Sequence, residues 1–184
     1  MLAEVHGEAQ EAMAKALAAF ESNLAVVRTG RANPQMLHRV MVEAYGTPMP
    51  LNQLATVSAP DSRTLVIQAW DKGQLDAITR AIMQSDLNLT PTNNGEVVII
   101  NIPAMTEERR KDMVKQARHI AEEARITVRS GRRTAMDMLK DLLKEGEISE
   151  DDQRRAQDKV QHLTDEFVGR IDQQLADKEK EILQ

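Results

Sequence analysis

The sequence predicts an α+β protein of two domains, a long three-helix bundle with a small α+β domain inserted into it. Two observations lead there. Apolar residues recur at spacings of three and four through long segments at both ends of the chain, which is the period of a helix with one buried face. All six prolines (Pro34, Pro48, Pro50, Pro60, Pro91, Pro103) lie between residues 34 and 103. Each would cost a helix interior about 3 kcal/mol, so the flanks can be long helices and the middle cannot.

Taken in order, Val5, Ala9, Ala12, Ala16, Phe20, Leu24 and Val27 form one stripe and predict a helix over residues 2–28, about seven turns long. Thr29-Gly30, with Pro34 beyond, stops it. The runs His38 to Tyr45 and Thr64 to Trp70 are β-compatible and are separated by proline- and glycine-rich turns. Leu75, Ile78, Ile82 and Met83 have helical spacing, and Asn93-Asn94-Gly95 turns into Val97 to Ile100. After Pro103, Thr106 reads as an N-cap with Glu107 and Glu108 in the first turn, opening a helix to about Lys144. Gly146 closes that helix, and Ser149-Glu150-Asp151-Asp152 opens the last one, striped by Ala156, Val160, Leu163, Phe167, Ile171 and Leu175. A connection this short makes the two helices antiparallel neighbours. The domain boundaries that follow are 1–30 with 105–184 for the bundle and 31–104 for the insert. Two chain crossings, near residues 30 and 104, would join them as a hinge.

Composition removes several functions. With no cysteine among 184 residues, disulfides, thiolate nucleophiles and cysteine-zinc sites are excluded together. No run approaches 18 apolar residues, and the opening residues Met1 to His6 carry no targeting pattern, so the expectation is a cytoplasmic chain without a membrane partner. Aromatics are 2% of the chain, too few to stack successive unpaired bases. Phosphate-binding glycine loops, the G-x-S-x-G elbow and H-E-x-x-H are all absent, which argues against nucleotide hydrolysis by this chain. His119 with Glu122, and His162 with Glu166, offer two metal ligands each on one helix face, short of the three or four a site needs.

The one constellation above background is basic. Net charge is −5, yet residues 106–144 carry +4 and residues 145–184 carry −6. On a helical wheel Lys111, Lys115, Arg118, Arg125, Arg129, Arg132 and Arg133 fall within roughly 100°, interrupted only by Glu122. Met113, Ala117, Ile120, Ala124, Val128, Met138 and Leu142 fall on the opposite side, so the row is expected to point away from the bundle core. It spans about 33 Å, enough to follow several phosphates of an RNA helix. Pairing with the acidic last helix is the other reading of such a row. The absence of i,i+4 acids from Arg125 to Arg133 favours a polyanion. An adaptor that docks partner proteins through its acidic helix stays open at this level.

The residues RTGRANP (28–34), YGTPMPL (45–51), DSRTL (61–65), TEERRKDMVK (106–115), ARITVRSGRR (124–133) and EISEDDQRRAQDKVQHLTD (147–165) closely resemble the bacterial ribosome recycling factor family, in order along the whole chain. That resemblance implies an L-shaped monomer of roughly transfer-RNA dimensions. It implies binding to the post-termination ribosome through large-subunit 23S rRNA, and subunit splitting with elongation factor G and the GTP that factor hydrolyses. The family is not enzymatic and holds no cofactor or metal. Family positions that meet rRNA match Arg109, Arg110, Arg129, Arg132 and Arg133, with Arg28 and Arg31 near the bend. The hinge positions match Thr29, Gly30 and Arg31 on one crossing and Pro103, Ala104 and Met105 on the other. Gly131 departs from the family pattern, which usually carries a larger side chain there, and is expected to loosen the arginines around it.

Overall fold

Capping signals and apolar periodicity set the element ends in the computed structural model, which describes residues 1–184. In chain order they are α1 (Leu2–Ala25), β1 (Met41–Ala44), β2 (Thr47–Pro50), β3 (Ala55–Asp61), β4 (Thr64–Ala69), α2 (Leu75–Gln84), β5 (Pro91–Asn93), β6 (Val98–Asn101), α3 (Glu107–Lys144) and α4 (Glu150–Leu183), with short 3-10 turns at Pro34–Leu37, Leu51–Gln53 and Lys72–Gln74. The chain divides into two compact units, Met1–Thr29 with Glu107–Gln184, and Gly30–Thr106.

The first unit is α1, α3 and α4, each packed on the other two. Its core is continuous, with Met13, Phe20, Val128, Leu139, Ile171 and Ile182 almost wholly withdrawn from solvent. The helix ends follow local chemistry. Gly146, at φ +77°, is the left-handed residue that ends α3: its N–H donates to the Leu143 carbonyl at 3.0 Å, and Glu147 N–H to the Leu142 carbonyl at 2.9 Å. Two residues later Ser149 and Asp152 form a reciprocal capping box, with Asp152 N–H donating to Ser149 Oγ at 3.1 Å.

Two details of this unit differ from the sequence pattern. Ala12 is exposed and Met13 is buried instead, because on the α1 wheel Met13 lies about 20° from the centre of the buried stripe and Ala12 about 80° to one side. On α3 the innermost residues are Val114, Ala117, Ala121, Ala124, Val128, Ala135 and Leu139, whereas Met113, Ile120, Met138 and Leu142 lie at the rim. The buried face is thus turned by about 50° from the face that residue size suggests. Alanines at the centre let the neighbouring helices approach closely, and the bulkier side chains close the edges. α1 ends at Ala25, earlier than predicted, where the β-branched pair Val26-Val27 lowers helix propensity; Val27 stays buried even so.

The second unit is α+β. Its four-stranded antiparallel sheet has the order β3-β4-β6-β5, and β1 with β2 forms a separate hairpin. Leu75, Ile78 and Ile82 of α2 pack into a core with Leu37, Val42, Leu65, Ile67, Val98 and Ile100, while Met83 faces solvent at the edge of the predicted stripe. Three strands beyond the predicted runs, β2, β3 and β5, all contain proline. β3 and β5 are sheet edges and β2 belongs to a two-stranded ribbon, so a missing N–H has an unpaired side to occupy. Both ends of the unit are tied to one turn: Ala32 N–H donates to the Ser62 carbonyl at 2.8 Å and Ile102 N–H to the Arg63 carbonyl at 2.7 Å. Beside them Gly30, at φ +76°, meets Met105 so closely that a Cβ there would lie 3.0 Å from Met105 Sδ.

Gly131 faces α1, where an added Cβ would lie 3.6 Å from Ala12 Cβ and 3.7 Å from Met13 Cγ, an ordinary van der Waals contact. It is turned about 160° from Arg129 and Arg133 on the α3 wheel, so it has no direct part in presenting them. Gly131→Ala should therefore raise bundle stability by about 0.5–1 kcal/mol, read as a higher midpoint in urea or thermal unfolding, with helix content unchanged.

Candidate nucleic-acid interface

Rotation of the buried face changes what the basic row of α3 does. Its centre lies about 95° from the core centre and not opposite to it, so one edge of the row abuts α4. On that inner edge stand Arg118, Arg125 and Arg132, seven residues apart. Arg118 Nε donates to Glu179 Oε1 at 2.6 Å. Arg125 bridges Asp172, with Nη2 2.7 Å from Oδ1, and Glu122, with Nη1 2.9 Å from Oε2, and only 19% of its side chain stays exposed. Arg132 Nη1 donates to Gln161 Oε1 at 3.2 Å, and Gln161 Nε2 in turn donates to Asp165 Oδ1 at 2.9 Å. Three arginines at a seven-residue step thus meet Glu179, Asp172 and Asp165, which descend α4 by the same step, with Gln161 relaying the third pair.

The charges respond accordingly. The hydrogen bond from Arg118 to Glu179 raises the Arg118 pKa above the usual guanidinium value. Burial disfavours the charge of Arg125, but its hydrogen bonds to Asp172 and Glu122 and their negative charges outweigh that and push its pKa up as well. The inner edge is a permanently charged seam that joins α3 to α4, which corrects the expectation that the whole row points away from the core.

The outer edge is different. Lys115, Arg129 and Arg133 are exposed, and Arg129 has only a loose approach to Glu122, at 3.8 Å. Lys111 pairs with Glu107 one turn back, at 3.1 Å and in full view of solvent, a contact that contributes little. The sequence-predicted residues consequently fall into separate places. Arg129, Arg132 and Arg133 sit on adjacent turns in the middle of α3, with Arg132 half-covered and the other two open. Arg109 and Arg110 begin the same helix, about 30 Å away along its axis, and Arg109 is turned about 160° from Arg129 on the wheel. Arg28 follows the end of α1 in the first unit, and Arg31 belongs to the second. Asp165, Asp172, Glu179 and Gln161 were missed as partners of the row. Their signal was the matching seven-residue step on an antiparallel neighbour.

No helix of the structure is long and apolar enough to cross a membrane. His119 pairs with Glu123 at 3.3 Å, while its predicted co-ligand Glu122 is engaged by arginines.

Comparison with known proteins bears on the whole chain. A family model described as ribosome recycling factor matches residues 20–183. The ribosome-recycling factor of Carboxydothermus hydrogenoformans is 53% identical over 183 residues, covering 100% of this chain and 99% of the relative. That of Bacillus subtilis is 50% identical over 184 residues, covering 100% of both. A solution structure of ribosome recycling factor superposes with a TM-score of 0.78 at 41% identity, covering 99% of this chain and 97% of that one. The Thermus thermophilus ribosome recycling factor, placed with Escherichia coli elongation factor G on the E. coli post-termination complex, matches with a TM-score of 0.67 at 52% identity and complete coverage of both chains. A match that runs from end to end, in sequence and in fold, means that this chain belongs to the ribosome recycling factor family.

Proposed function

We propose that the chain recycles the ribosome after termination, acting in the cytoplasm as a translation factor and not as an enzyme. It binds the large subunit through 23S rRNA and, with elongation factor G and GTP, separates the subunits so that messenger and deacylated transfer RNA leave. The observation that carries this reading is the full-length identity of about half of all residues with ribosome-recycling factors. The outer edge of the α3 row supports the contact surface: cations at Lys115, Arg129 and Arg133, open to solvent, suit successive phosphates. Arg132 adds a guanidinium whose direction Gln161 fixes. Arg109, Arg110, Arg28 and Arg31 extend the contact beyond this row.

In this mechanism the bundle is the anchor and the insert is the moving part, turning on the crossings at Thr29, Gly30 and Arg31 and at Pro103, Ala104 and Met105. The elongation factor hydrolyses GTP and supplies the work; this chain converts a push on one domain into strain across the subunit interface. Gly30 suits such a joint because its left-handed backbone and its contact with Met105 exclude a side chain. Purified chain added to post-termination ribosomes with elongation factor G and GTP should produce subunit separation, followed by light scattering, only when all components are present. Separation that proceeds without the chain, or never occurs with it, overturns the reading.

Variants at these positions separate anchoring from scaffolding. Charge reversal at Arg133 or Arg132 should lower large-subunit affinity at least tenfold with circular dichroism intact, and Arg133→Ala should reduce the salt slope of binding by about 1. Arg125→Met should instead destabilise the bundle by about 1–2 kcal/mol in urea, between the values for exposed and buried ion pairs, because it leaves Asp172 and Glu122 without their shared cation. Gly30→Ala should slow splitting several-fold while large-subunit affinity stays within about twofold, since a left-handed L-residue costs about 1–2 kcal/mol and Met105 must also move.

A further inference from the structure

The rungs between α3 and α4 are not alike. Arg118 with Glu179, Arg125 with Asp172 and Arg132 with Asp165 step along the antiparallel helices in mirror register, each arginine advancing as its acid recedes. Arg118 and Arg125 meet their carboxylates directly, at 2.6 and 2.7 Å. Arg132 makes no ion pair. Its Nη1 donates to Oε1 of the neutral Gln161 amide at 3.2 Å, one turn of α4 beyond the acid that the register assigns to it. On α3 itself, the positions three and four residues from Arg132 hold Val128, Arg129, Ala135 and Met136, none of them acidic.

Asp165 decides which end of the amide faces the arginine. A carboxylate only accepts, so it takes the Nε2 side, at 2.9 Å, and the carbonyl oxygen is left for Arg132. The guanidinium is thus directed by a hydrogen bond. Its charge is not cancelled at contact, because an amide stands where the other rungs have a carboxylate.

Stability of the seam does not call for glutamine here. A glutamate in this place would gain an exposed ion pair with Arg132 and would stand one turn from Asp165, two effects of similar size and opposite sign. The two side chains fit alike and differ in charge. Glutamate takes Arg132 out of the positive strip of α3, whereas glutamine keeps it there. An internal comparison lies further along α4, where Gln173 Nε2 donates to Asp177 Oδ1 at 3.1 Å in the same i,i+4 arrangement, without an arginine on its carbonyl.

Resting on the rRNA contact proposed above, we propose that Gln161 is a positioning residue for that contact: its neutral amide, oriented by Asp165, aims the Arg132 guanidinium while leaving its positive charge for an RNA phosphate. The third rung of the seam is in this way set apart from the first two, which spend their charge on holding the helices together.

Gln161→Glu exchanges the amide for a carboxylate of the same length. The probe is the vacant large ribosomal subunit, titrated with the whole chain over a series of salt concentrations, with circular dichroism and urea midpoints recorded on the same samples. The variant should bind several-fold more weakly, and the slope of log affinity against log salt should fall by about 1, the loss of one phosphate contact, while the urea midpoint stays close to the parent value. Gln173→Glu adds the same charge to the same helix away from Arg132, and should leave affinity and slope near those of the parent. Gln161→Ala frees the guanidinium without cancelling it, so binding should weaken with the slope unchanged. In chains that also carry Arg132→Ala, Gln161→Glu should have no further effect. A purely structural part for Gln161 would move the urea midpoint and not the slope. The proposal is overturned by a parent slope in Gln161→Glu, by an equal loss in Gln173→Glu, by parent affinity in Gln161→Ala, or by a Gln161→Glu effect that persists without Arg132. An unsubstituted chain that does not bind large subunits overturns the function reading, and the positioning role with it.

Discussion

The central constraint on the bundle is that α3 must bury a face against two partners at once. Only a narrow, small-residue face allows both α1 and α4 to approach, and the alanines at 117, 121, 124 and 135 provide it. That choice turns α3 about its own axis, and everything carried on its surface turns with it. Arg125 moves from an open face to a position between helices, and Gly131 settles against α1, where its missing side chain costs helix propensity but leaves the arginines alone. The geometry of the basic row is thus a consequence of how the core packs.

The seam that results lets a chain of net charge −5 keep a strip of exposed cations. The positive block of α3 and the negative block of α4 meet along the ladder of Arg118, Arg125 and Arg132 with Glu179, Asp172 and Asp165. Each rung spends part of the acidic helix on holding the antiparallel register. The cations that remain, at Lys115, Arg129 and Arg133, are then carried on a helix whose rotation and register are fixed from behind. Of the two readings of the row, pairing with the last helix holds along its inner edge, while the outer edge carries cations exposed to solvent.

What was legible in the sequence had local causes. Gly146, the Ser149 and Asp152 capping box and the stripe through Val160, Leu163, Phe167 and Ile171 are set within one or two turns of chain, and the structure has each of them. The misplaced features depend on neighbours. Strands β2, β3 and β5 contain prolines that read as turns until the sheet order shows that each has a free side. The inner face of α3 was assigned by residue size, yet small residues win where two helices must come close. Arg129, Arg132 and Arg133 emerged from the helical wheel as well as from family resemblance. Arg109 and Arg110 came from resemblance more than from the wheel, and Arg109 sits on another side of the same helix. A wheel detects clustering on one face, and Arg109 lies about 160° from Arg129, outside the face it picks out.

Each of the two units closes its own core: one built from α1, α3 and α4, the other from the sheet, the hairpin and α2, with no residue common to both. The hydrophobic term that stabilises each unit is therefore its own. Within the second unit the two chain ends are held by local chemistry: the hydrogen bonds of Ala32 to Ser62 and of Ile102 to Arg63 bring both back to one turn, and Met105 closes on Gly30, whose left-handed backbone any larger residue would strain. The positions that end the long helices and open the insert are thus set by a glycine's backbone freedom and by one turn, and not by the cores on either side.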